Sequence, residues 1–218
     1  EVGEQIEREV LGELGLHVDV SATQVISRDR LAELFLVLAL ISTTLEKIAT
    51  EIRNLHRTEI GEAEEGFAEE QVGSTAMPHK RNPIDCENIC SLSRVVRGLT
   101  IPALENIVLW HERDLTNSAS ERILIPEVFM LVDEQISRMI RVLRGVRVDE
   151  DRIRRNMEMM CGAIYSEILT TMLALRGYGR QKAHERLRRI SMEAHRTKRC
   201  LRELIAVSYT HLRAHETE

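Results

Sequence analysis

The feature that most constrains the fold is an apolar repeat in the first third of the chain. Its members recur at alternating steps of three and four residues, and they are Leu31, Leu34, Leu38, Ile41, Leu45, Ile48, Ile52 and Leu55. This spacing is typical of the seam between long helices that pack side by side. Because no proline interrupts the repeat, it predicts one helix of about 30 residues, or about 45 Å, with Ser27 as its N-cap. Helices of this length usually pack against other subunits, so we expect an oligomer.

The composition agrees with a helical protein. Only 11 glycines and 4 prolines occur among the 218 residues, and aromatic residues make up 3%. So few turn-forming and aromatic residues argue against a β-sandwich or a β-barrel. The hydrophobic fraction of 43% and the charged fraction of 30% instead fit amphipathic helices. We therefore predict an all-α fold built as a long-helix bundle.

Three further apolar patterns predict helices on either side of the repeat. Their approximate ranges are 2–15, 89–110 and 120–145, with a polar loop at 111–120. Pro102 marks a kink in the second of these helices, and Pro126 is placed near the first turn of the third. The predicted buried face of the third helix consists of Val128, Leu131, Ile136, Met139 and Leu143.

A domain boundary is predicted at about residue 147, because the helical patterns beyond it become short and are broken by glycines. The three predicted parts are a central helical-bundle domain at 1–147, a C-terminal helical domain at 148–206 and a non-native tail at 207–218.

The longest apolar run, Leu34–Ile41, is far shorter than the roughly 20 residues of a membrane helix. The four cysteines show no CxxC spacing, which favours a reduced, cytoplasmic compartment.

The charge is distributed unevenly along the chain. Residues 1–137 contain 12 Lys and Arg against 25 Asp and Glu, whereas residues 138–202 contain 17 against 7. A basic C-terminal third can bind nucleic acid or an anionic ligand. The chain nevertheless lacks the aromatic and glycine-rich signatures of RNA-binding modules, so solvated basic helix faces are the favoured interpretation.

The segment Gly73–Pro83 combines residue types that rarely occur together in a surface loop. It contains a glycine, two hydroxyl side chains, a histidine, two cations and an amide, and two of the chain's prolines. A Gly-Ser-Thr run can present backbone N–H groups to an anion, and Lys80 and Arg81 add positive charge. A catalytic Ser74 would need those groups, because a serine hydroxyl is otherwise a very weak base. The segment therefore predicts either an anion-binding catalytic loop or a basic surface loop.

The same segment is similar to the signature G-S-S-x-M-P-x-K-x-N-P of the fumarase/aspartase superfamily, with Thr75 where the second serine usually stands. Its ending, HKRNP at 79–83, resembles two branches of that superfamily, the adenylosuccinate lyases and the carboxymuconate cycloisomerases. A second polar motif, LWHERD at 109–114, followed by Asn-Ser and Glu-Arg within 117–122, favours the adenylosuccinate lyases. The resemblance covers residues 1 to about 206.

The resemblance implies a β-elimination that releases fumarate from a succinyl-amine purine nucleotide, without a metal or any other cofactor. In this scheme Ser74 is the general base, and Lys80 and Asn82 stabilise the negative charge that proton loss builds on the substrate carboxylate. The implied substrates are adenylosuccinate and the succinyl-aminoimidazole-carboxamide ribotide. The other implied substrate-binding residues are Gln24, Met77, Arg113, Ser118 and Arg122.

The resemblance also implies a cytoplasmic homotetramer whose active sites combine residues from three subunits, with no nucleic acid or membrane as a partner. The family's general-acid histidine falls before residue 1. We therefore expect this chain to be a fragment of a lyase that is inactive by itself. Two alternatives remain: a carboxymuconate cycloisomerase or related lyase, and a non-catalytic helical oligomerisation or RNA-binding module.

Overall fold

A computed structural model describes residues 2–19, 22–66, 81–111, 113–159 and 162–206. In these ranges the chain is mainly helical, which confirms the predicted all-α fold. The elements are α1 (Val2–Glu13), α2 (Asp29–Leu55), β1 (Ala63–Glu64), α3 (Ile84–Glu105), α4 (Thr116–Gly145), β2 (Arg147–Val148), α5 (Glu150–Met159), a 3₁₀ turn (Ala163–Tyr165), α6 (Ser166–Leu175) and α7 (Arg180–Thr197). The two short strands pair as a two-stranded sheet. No helix among the described residues is long and apolar enough to cross a bilayer.

The described chain forms two compact units. The first contains residues up to 56 together with 64–147, and the second contains 57–63 together with the chain from 148 onward. In the second unit, the side chain of Arg152 donates hydrogen bonds to the carbonyls of Ile60 and Thr58 at 2.9 and 2.8 Å. These bonds explain why 57–63 belongs with α5. A small apolar cluster that includes Leu201 and Leu204 forms the rest of this unit's interior.

The first unit consists mainly of α2, α3 and α4, packed side by side. One core cluster surrounds Phe35, Val96 and Val128, each at most 1% exposed. A second cluster towards the other end of the helices surrounds Ile89 and Val142. Burial of each such side chain stabilises the fold by roughly 1.5–3 kcal/mol relative to exposure. The three long helices therefore provide the rigid frame on which the loops of this unit are mounted.

A polar layer joins the three helices within this core. Ser42 of α2, Ser93 of α3 and Gln135 of α4 are fully buried. The Gln135 amide nitrogen donates to the Ser93 hydroxyl at 2.7 Å and to the Ile89 carbonyl at 3.0 Å. The hydroxyls of Ser42 and Ser93 lie 3.1 Å apart. Each long helix thus contributes a hydrogen-bonding group to the same layer.

The predicted seam of α2 is only partly correct. Leu38 and Ile52 are buried as predicted, but Leu34, Ile41 and Ile48 are between 37% and 40% exposed in the single chain. The buried stripe keeps the spacing of three and four but uses small residues that the prediction passed over. Its members are Ala32, Phe35, Leu38, Ala39, Ser42, Ala49 and Ile52. The apolar residues of α2 that lie outside this stripe are available to pack against another subunit. The oligomer stays a prediction.

The predicted buried face of α4 requires a similar correction. Val128 and Met139 are buried as predicted, whereas Ile136 and Leu143 are 39% and 53% exposed. The buried stripe instead includes three polar residues, which an apolar pattern cannot reveal. Its members are Asn117, Glu121, Leu124, Val128, Val132, Gln135, Met139 and Val142.

Several predicted helix boundaries are also wrong. The N-cap of α2 is Arg28, and the Ser27 hydroxyl instead hydrogen bonds to the Asp29 carboxylate, which lowers the pKa of Asp29. Helix α3 ends at Glu105 rather than at residue 110. Helix α4 begins at Thr116, so that Pro126 lies well inside the helix and not in its first turn.

Candidate functional site

A cleft of about 410 Å³ lies beside the first turns of α4, within the first unit. The segment before α2, the segment before α4 and the first three turns of α4 supply its walls. The lining residues are Val25, Arg28, Arg113, Asn117, Ser118, Glu121, Arg122, Ile125 and Pro126. The cleft therefore combines residues that lie almost 100 positions apart in the sequence.

Asp114 shapes the chain at the entrance to α4. One oxygen of its carboxylate accepts a hydrogen bond from the Trp110 N–H at 2.9 Å, and the other accepts one from the Thr116 N–H at 2.8 Å. The Thr116 hydroxyl donates to that second oxygen at 2.5 Å. A carboxylate at this position also interacts favourably with the positive end of the helix dipole. These bonds hold the turn that carries Arg113 against the start of α4.

The same bonds make this turn sensitive to acid. Hydrogen bonding, first from the Thr116 hydroxyl, holds the pKa of Asp114 below its usual value of 3.8. Because the pKa of Asp114 is lower in the folded protein than in the unfolded chain, this carboxylate stabilises the fold at any pH above its unfolded-state pKa. The stabilisation is lost as the pH falls through the lower, folded-state pKa. We expect Asp114→Asn to have a lower melting temperature than the wild type at pH 7, and the difference to shrink below about pH 4. Melting curves of both proteins, recorded by circular dichroism across this range, measure the effect, and a constant difference would contradict it.

The cleft carries a positive charge and contains buried polar atoms. Three arginines line it against one acid, Glu121. The Arg28 guanidinium donates to the Glu121 carboxylate at 3.1 Å, and the two side chains are 13% and 12% exposed. The Nε atoms of Arg28 and Arg113 are also buried, and neither has a hydrogen-bond partner in the part of the chain that the structure describes. Buried donors of this kind are costly unless something satisfies them.

Two acceptor atoms in the cleft are also buried without a hydrogen-bond partner among the described residues. The side-chain oxygen of Asn117 and one carboxylate oxygen of Glu121 are buried, and no group among the described residues donates to them. A ligand that carries both acceptor oxygens and hydroxyl donors would satisfy the arginines and these two acceptors together. The beginning of α4 adds the partial positive charge of a helix N-terminus, which favours an anion. The arrangement is therefore suited to a phosphate group attached to a hydroxylated molecule.

The structure brings together three of the site residues predicted from the sequence, namely Arg113, Ser118 and Arg122. Gln24 lies next to the lining residue Val25 but is itself exposed and does not line the cleft. Asn82 is half-buried just before α3 and does not line it either. The other three predicted site residues, Ser74, Met77 and Lys80, lie outside the described residues. The assignment of catalytic and binding roles to all of these residues stays a prediction.

Sequence reasoning missed three polar residues of the cleft, Arg28, Asn117 and Glu121. No sequence motif singles out Arg28, and Glu121 is part of a motif only as the neighbour of Arg122. Their signal is the ion pair between Arg28 and Glu121, which joins positions 93 residues apart and becomes visible only in the fold.

Among the described residues, the other reactive groups of the first unit do not suggest another centre. Burial raises the pKa of the Cys86 thiol, so this side chain is a neutral core residue rather than a nucleophile. Among the described residues, no group of three or more His, Cys, Asp and Glu side chains is arranged to hold a metal ion.

Comparison with known proteins gives one consistent family. Residues 1–98 match a protein-family profile described as a lyase. The chain is 50% identical over 200 residues to an adenylosuccinate lyase of Pyrococcus horikoshii, an alignment that covers 92% of this chain and 44% of that protein. It is 42% identical over 201 residues to an adenylosuccinate lyase of Aquifex aeolicus, covering 92% and 46%. The chain thus spans less than half the length of these curated relatives.

Solved structures give the same result for the fold. A fumarate lyase from Mesorhizobium sp. BNC1 superimposes with a TM-score of 0.77 at 30% identity, over 94% of this chain and 44% of that one. A 3-carboxy-cis,cis-muconate lactonizing enzyme from Pseudomonas putida superimposes with a TM-score of 0.73 at 30% identity, over 89% and 42%. The long-helix frame and these similarities together show that the chain belongs to the fumarase/aspartase superfamily of lyases.

Proposed function

We propose that this chain is the part of an adenylosuccinate lyase that binds the nucleotide and supplies the general base. The reaction is the elimination of fumarate from adenylosuccinate, which gives AMP, and from the succinyl-aminoimidazole-carboxamide ribotide. The single observation that carries the proposal is the cleft beside α4, which three arginines and Ser118 line and which contains buried donors and acceptors that no described group satisfies. The identity of 50% to an adenylosuccinate lyase supports this choice of substrate.

In the proposed complex the cleft holds the nucleotide by its phosphate. Arg113 and Arg122 donate to phosphate oxygens, for which a planar guanidinium is well suited, and the Ser118 hydroxyl adds a further donor. The hydroxyl groups of the ribose can donate to the oxygens of Asn117 and Glu121. The substrate is thereby fixed at its non-reacting end, so that binding energy is used to orient the succinyl group.

The chemical step is assigned to the segment that follows β1. Ser74, as its alkoxide, takes a proton from the carbon next to a carboxylate of the succinyl group. The electron pair of that C–H bond forms the C=C bond of fumarate while the C–N bond breaks, and the nitrogen leaves with its electron pair and receives a proton from a general acid. Lys80 and Asn82 stabilise the charge that builds on the carboxylate. The resemblance assigns the general acid to a histidine outside this chain.

A muconate cycloisomerase is the second candidate, favoured by the superposition with the Pseudomonas putida enzyme at 30% identity. That reaction involves no nucleotide, so it predicts that the cleft beside α4 does not bind AMP. AMP binding therefore distinguishes the two candidates.

A chimaera allows AMP binding to be measured in a full-length protein. In this chimaera, the segment of the present chain that aligns with the Pyrococcus horikoshii relative replaces the corresponding segment of that relative. We expect the chimaera to bind AMP in titration calorimetry, and Arg113→Ala to weaken binding roughly 10- to 100-fold, because a charge-assisted hydrogen bond contributes about 1.5–3 kcal/mol. Arg144→Ala, an exposed arginine in the last turn of α4, is the matched control and leaves the affinity unchanged. A folded chimaera without saturable AMP binding, or equal losses in both variants, would contradict the proposal.

A further inference from the structure

In the first unit, the residues on either side of the segment 67–80 are joined to each other. Glu64 and Glu65 precede the segment, and Arg81 follows it. The Arg81 guanidinium lies 3.4 Å from the Glu64 carboxylate, with the two side chains 49% and 38% exposed. An ion pair this exposed is weakened by solvent, so it cannot be the main link between the two ends.

His56, at the C-terminal end of α2, makes a second link. Its Nε2 lies 3.0 Å from the Arg81 carbonyl, and its Nδ1 lies 3.4 Å from the Glu65 N–H. Since a carbonyl can only accept and an N–H can only donate, Nε2 carries the proton and Nδ1 is the acceptor. One neutral imidazole therefore bridges the residues on both sides of the segment, and the two bonds require this tautomer.

Glu65 extends the link to α3. Its side chain is buried at 6% exposure, and its two carboxylate oxygens accept hydrogen bonds from the N–H groups of Asp85 and Cys86, each at 3.0 Å. These N–H groups belong to the first turn of α3, where the helix has no side-chain cap at its own N-cap residue, Pro83. A buried carboxylate at a helix N-terminus is stabilised by the charge-assisted bonds and by the helix dipole.

Gly66, the residue after Glu65, holds the chain close against α4. A Cβ atom at this position would come within 2.7 Å of the Gly145 backbone, at the end of α4. No side chain fits there unless the backbone moves. The chain immediately before the segment is therefore held by α2 through His56, by α3 through Glu65 and by α4 through this close approach.

We infer that His56 and Glu65 are positioning residues for the reaction: they form a clamp that joins the chain before residue 67 to the chain after residue 80, and they act through the segment between these points, which carries Ser74 and Lys80. This inference rests on the proposed function for its catalytic consequence, because it assigns the base to Ser74. The clamp residues act through the segment, at a distance from the cleft beside α4. They consequently affect the chemical step without affecting nucleotide affinity.

Kinetics of the chimaera provide the first test. Glu65→Gln keeps the shape of the side chain but directs an NH₂ group at one of the two helix N–H groups. We expect kcat to fall roughly 10- to 100-fold, the effect of misplacing a catalytic group by about 1 Å, while the dissociation constant for AMP stays within about twofold. Glu59→Gln, at an exposed glutamate of the same region, is the matched control and keeps full kcat. An unchanged kcat for Glu65→Gln, or a parallel loss of AMP affinity, would overturn the inference.

Substitution of His56 weakens the clamp without placing a donor against another donor, as Glu65→Gln does. His56→Leu removes both bonds, whereas His56→Gln retains one donor and one acceptor. We expect the leucine variant to lose at least as much kcat as Glu65→Gln, and the glutamine variant to recover part of the loss. Equal activity of the two variants would assign His56 a packing role only.

Limited proteolysis tests the clamp independently of any activity. Trypsin cleaves after Lys80 and Arg81, at the C-terminal end of the segment, and mass spectrometry identifies the fragments. We expect Glu65→Gln and His56→Leu to speed cleavage at these two bonds roughly fivefold or more, and Glu59→Gln to leave the rate unchanged. Unchanged cleavage in both clamp variants would refute the clamp itself. Faster cleavage in a chimaera that shows no Ser74-dependent turnover would instead refute only the proposed function.

Discussion

Ser74→Ala in the chimaera is expected to lower kcat for fumarate release by roughly 10³-fold, within the range that general-base catalysis contributes. Alanine has no group that can accept the proton from the carbon next to the substrate carboxylate. In the proposed function the nucleotide is held by a different part of the molecule, the cleft around Arg113, Ser118 and Arg122. AMP affinity is therefore expected to stay within about twofold of the parent, because the binding groups are unchanged. Ultraviolet absorbance of fumarate measures the first quantity and titration calorimetry the second.

Thr75→Ala is the matched control for this experiment, since it removes the hydroxyl of the neighbouring residue. We expect less than about a tenfold change in kcat, because this hydroxyl is not assigned the role of the base. A Ser74→Ala variant within tenfold of the parent would remove Ser74 from that role. A loss of AMP affinity together with activity would indicate instead that Ser74 acts in binding.

The frame of the fold could be predicted from the sequence because it depends on local periodicity. The spacing of apolar residues between Leu31 and Leu55 predicted a single long helix, and α2, at Asp29–Leu55, covers this whole range. The end of α4 at Gly145 was also predicted correctly. Which side of each helix faces inward could not be predicted as reliably, because both faces of α2 carry apolar residues. Small residues such as Ala39 and Ala49 allow close packing and occupy the buried side.

The cleft could be predicted only in part. The residues that were predicted lie close together in the sequence, and those that were missed have partners far away in the sequence. Arg113, Ser118 and Arg122 lie within ten residues of each other, so one motif was enough to find them. Arg28 comes from the other side of the unit, and its pairing with Glu121 depends on how α2 and α4 pack. Glu65 was overlooked for the same reason, because its partners belong to the first turn of α3, 20 residues later.

The second large expected effect is a loss of folding stability when the polar layer of the core is disrupted. Gln135→Ala removes the hydrogen bonds to Ser93 and Ile89 and leaves a cavity at a side chain with 0% exposure. The lost bonds and the cavity together should reduce the free energy of unfolding by about 3 kcal/mol, or roughly 100-fold in the folding equilibrium. Urea unfolding, followed by circular dichroism at one fixed protein concentration, measures the change.

A double-mutant cycle separates the hydrogen bond from the cavity. The Gln135 and Ser93 side chains are 2.7 Å apart, so the cycle of Gln135→Ala with Ser93→Ala should give a coupling energy of about 1 kcal/mol. Val132→Ala also removes buried side-chain atoms from α4 but breaks no hydrogen bond of the polar layer, and its effect should add to that of Ser93→Ala without coupling. Zero coupling in both cycles would show that Gln135 only fills space.

A measured coupling would indicate that the polar layer selects one register of the helices. An apolar stripe with a spacing of three and four can be approximately matched after a shift of one helical turn, about 5.4 Å. The bonds among Ser42, Ser93 and Gln135 cannot, because such a shift would separate the three side chains and bury the Gln135 amide without its partners on α3. The register matters for the cleft, since Glu121 of α4 reaches Arg28 before α2 only in the register that the structure has. We therefore expect Gln135→Ala to lower AMP affinity as well as stability, and Val132→Ala to lower stability alone.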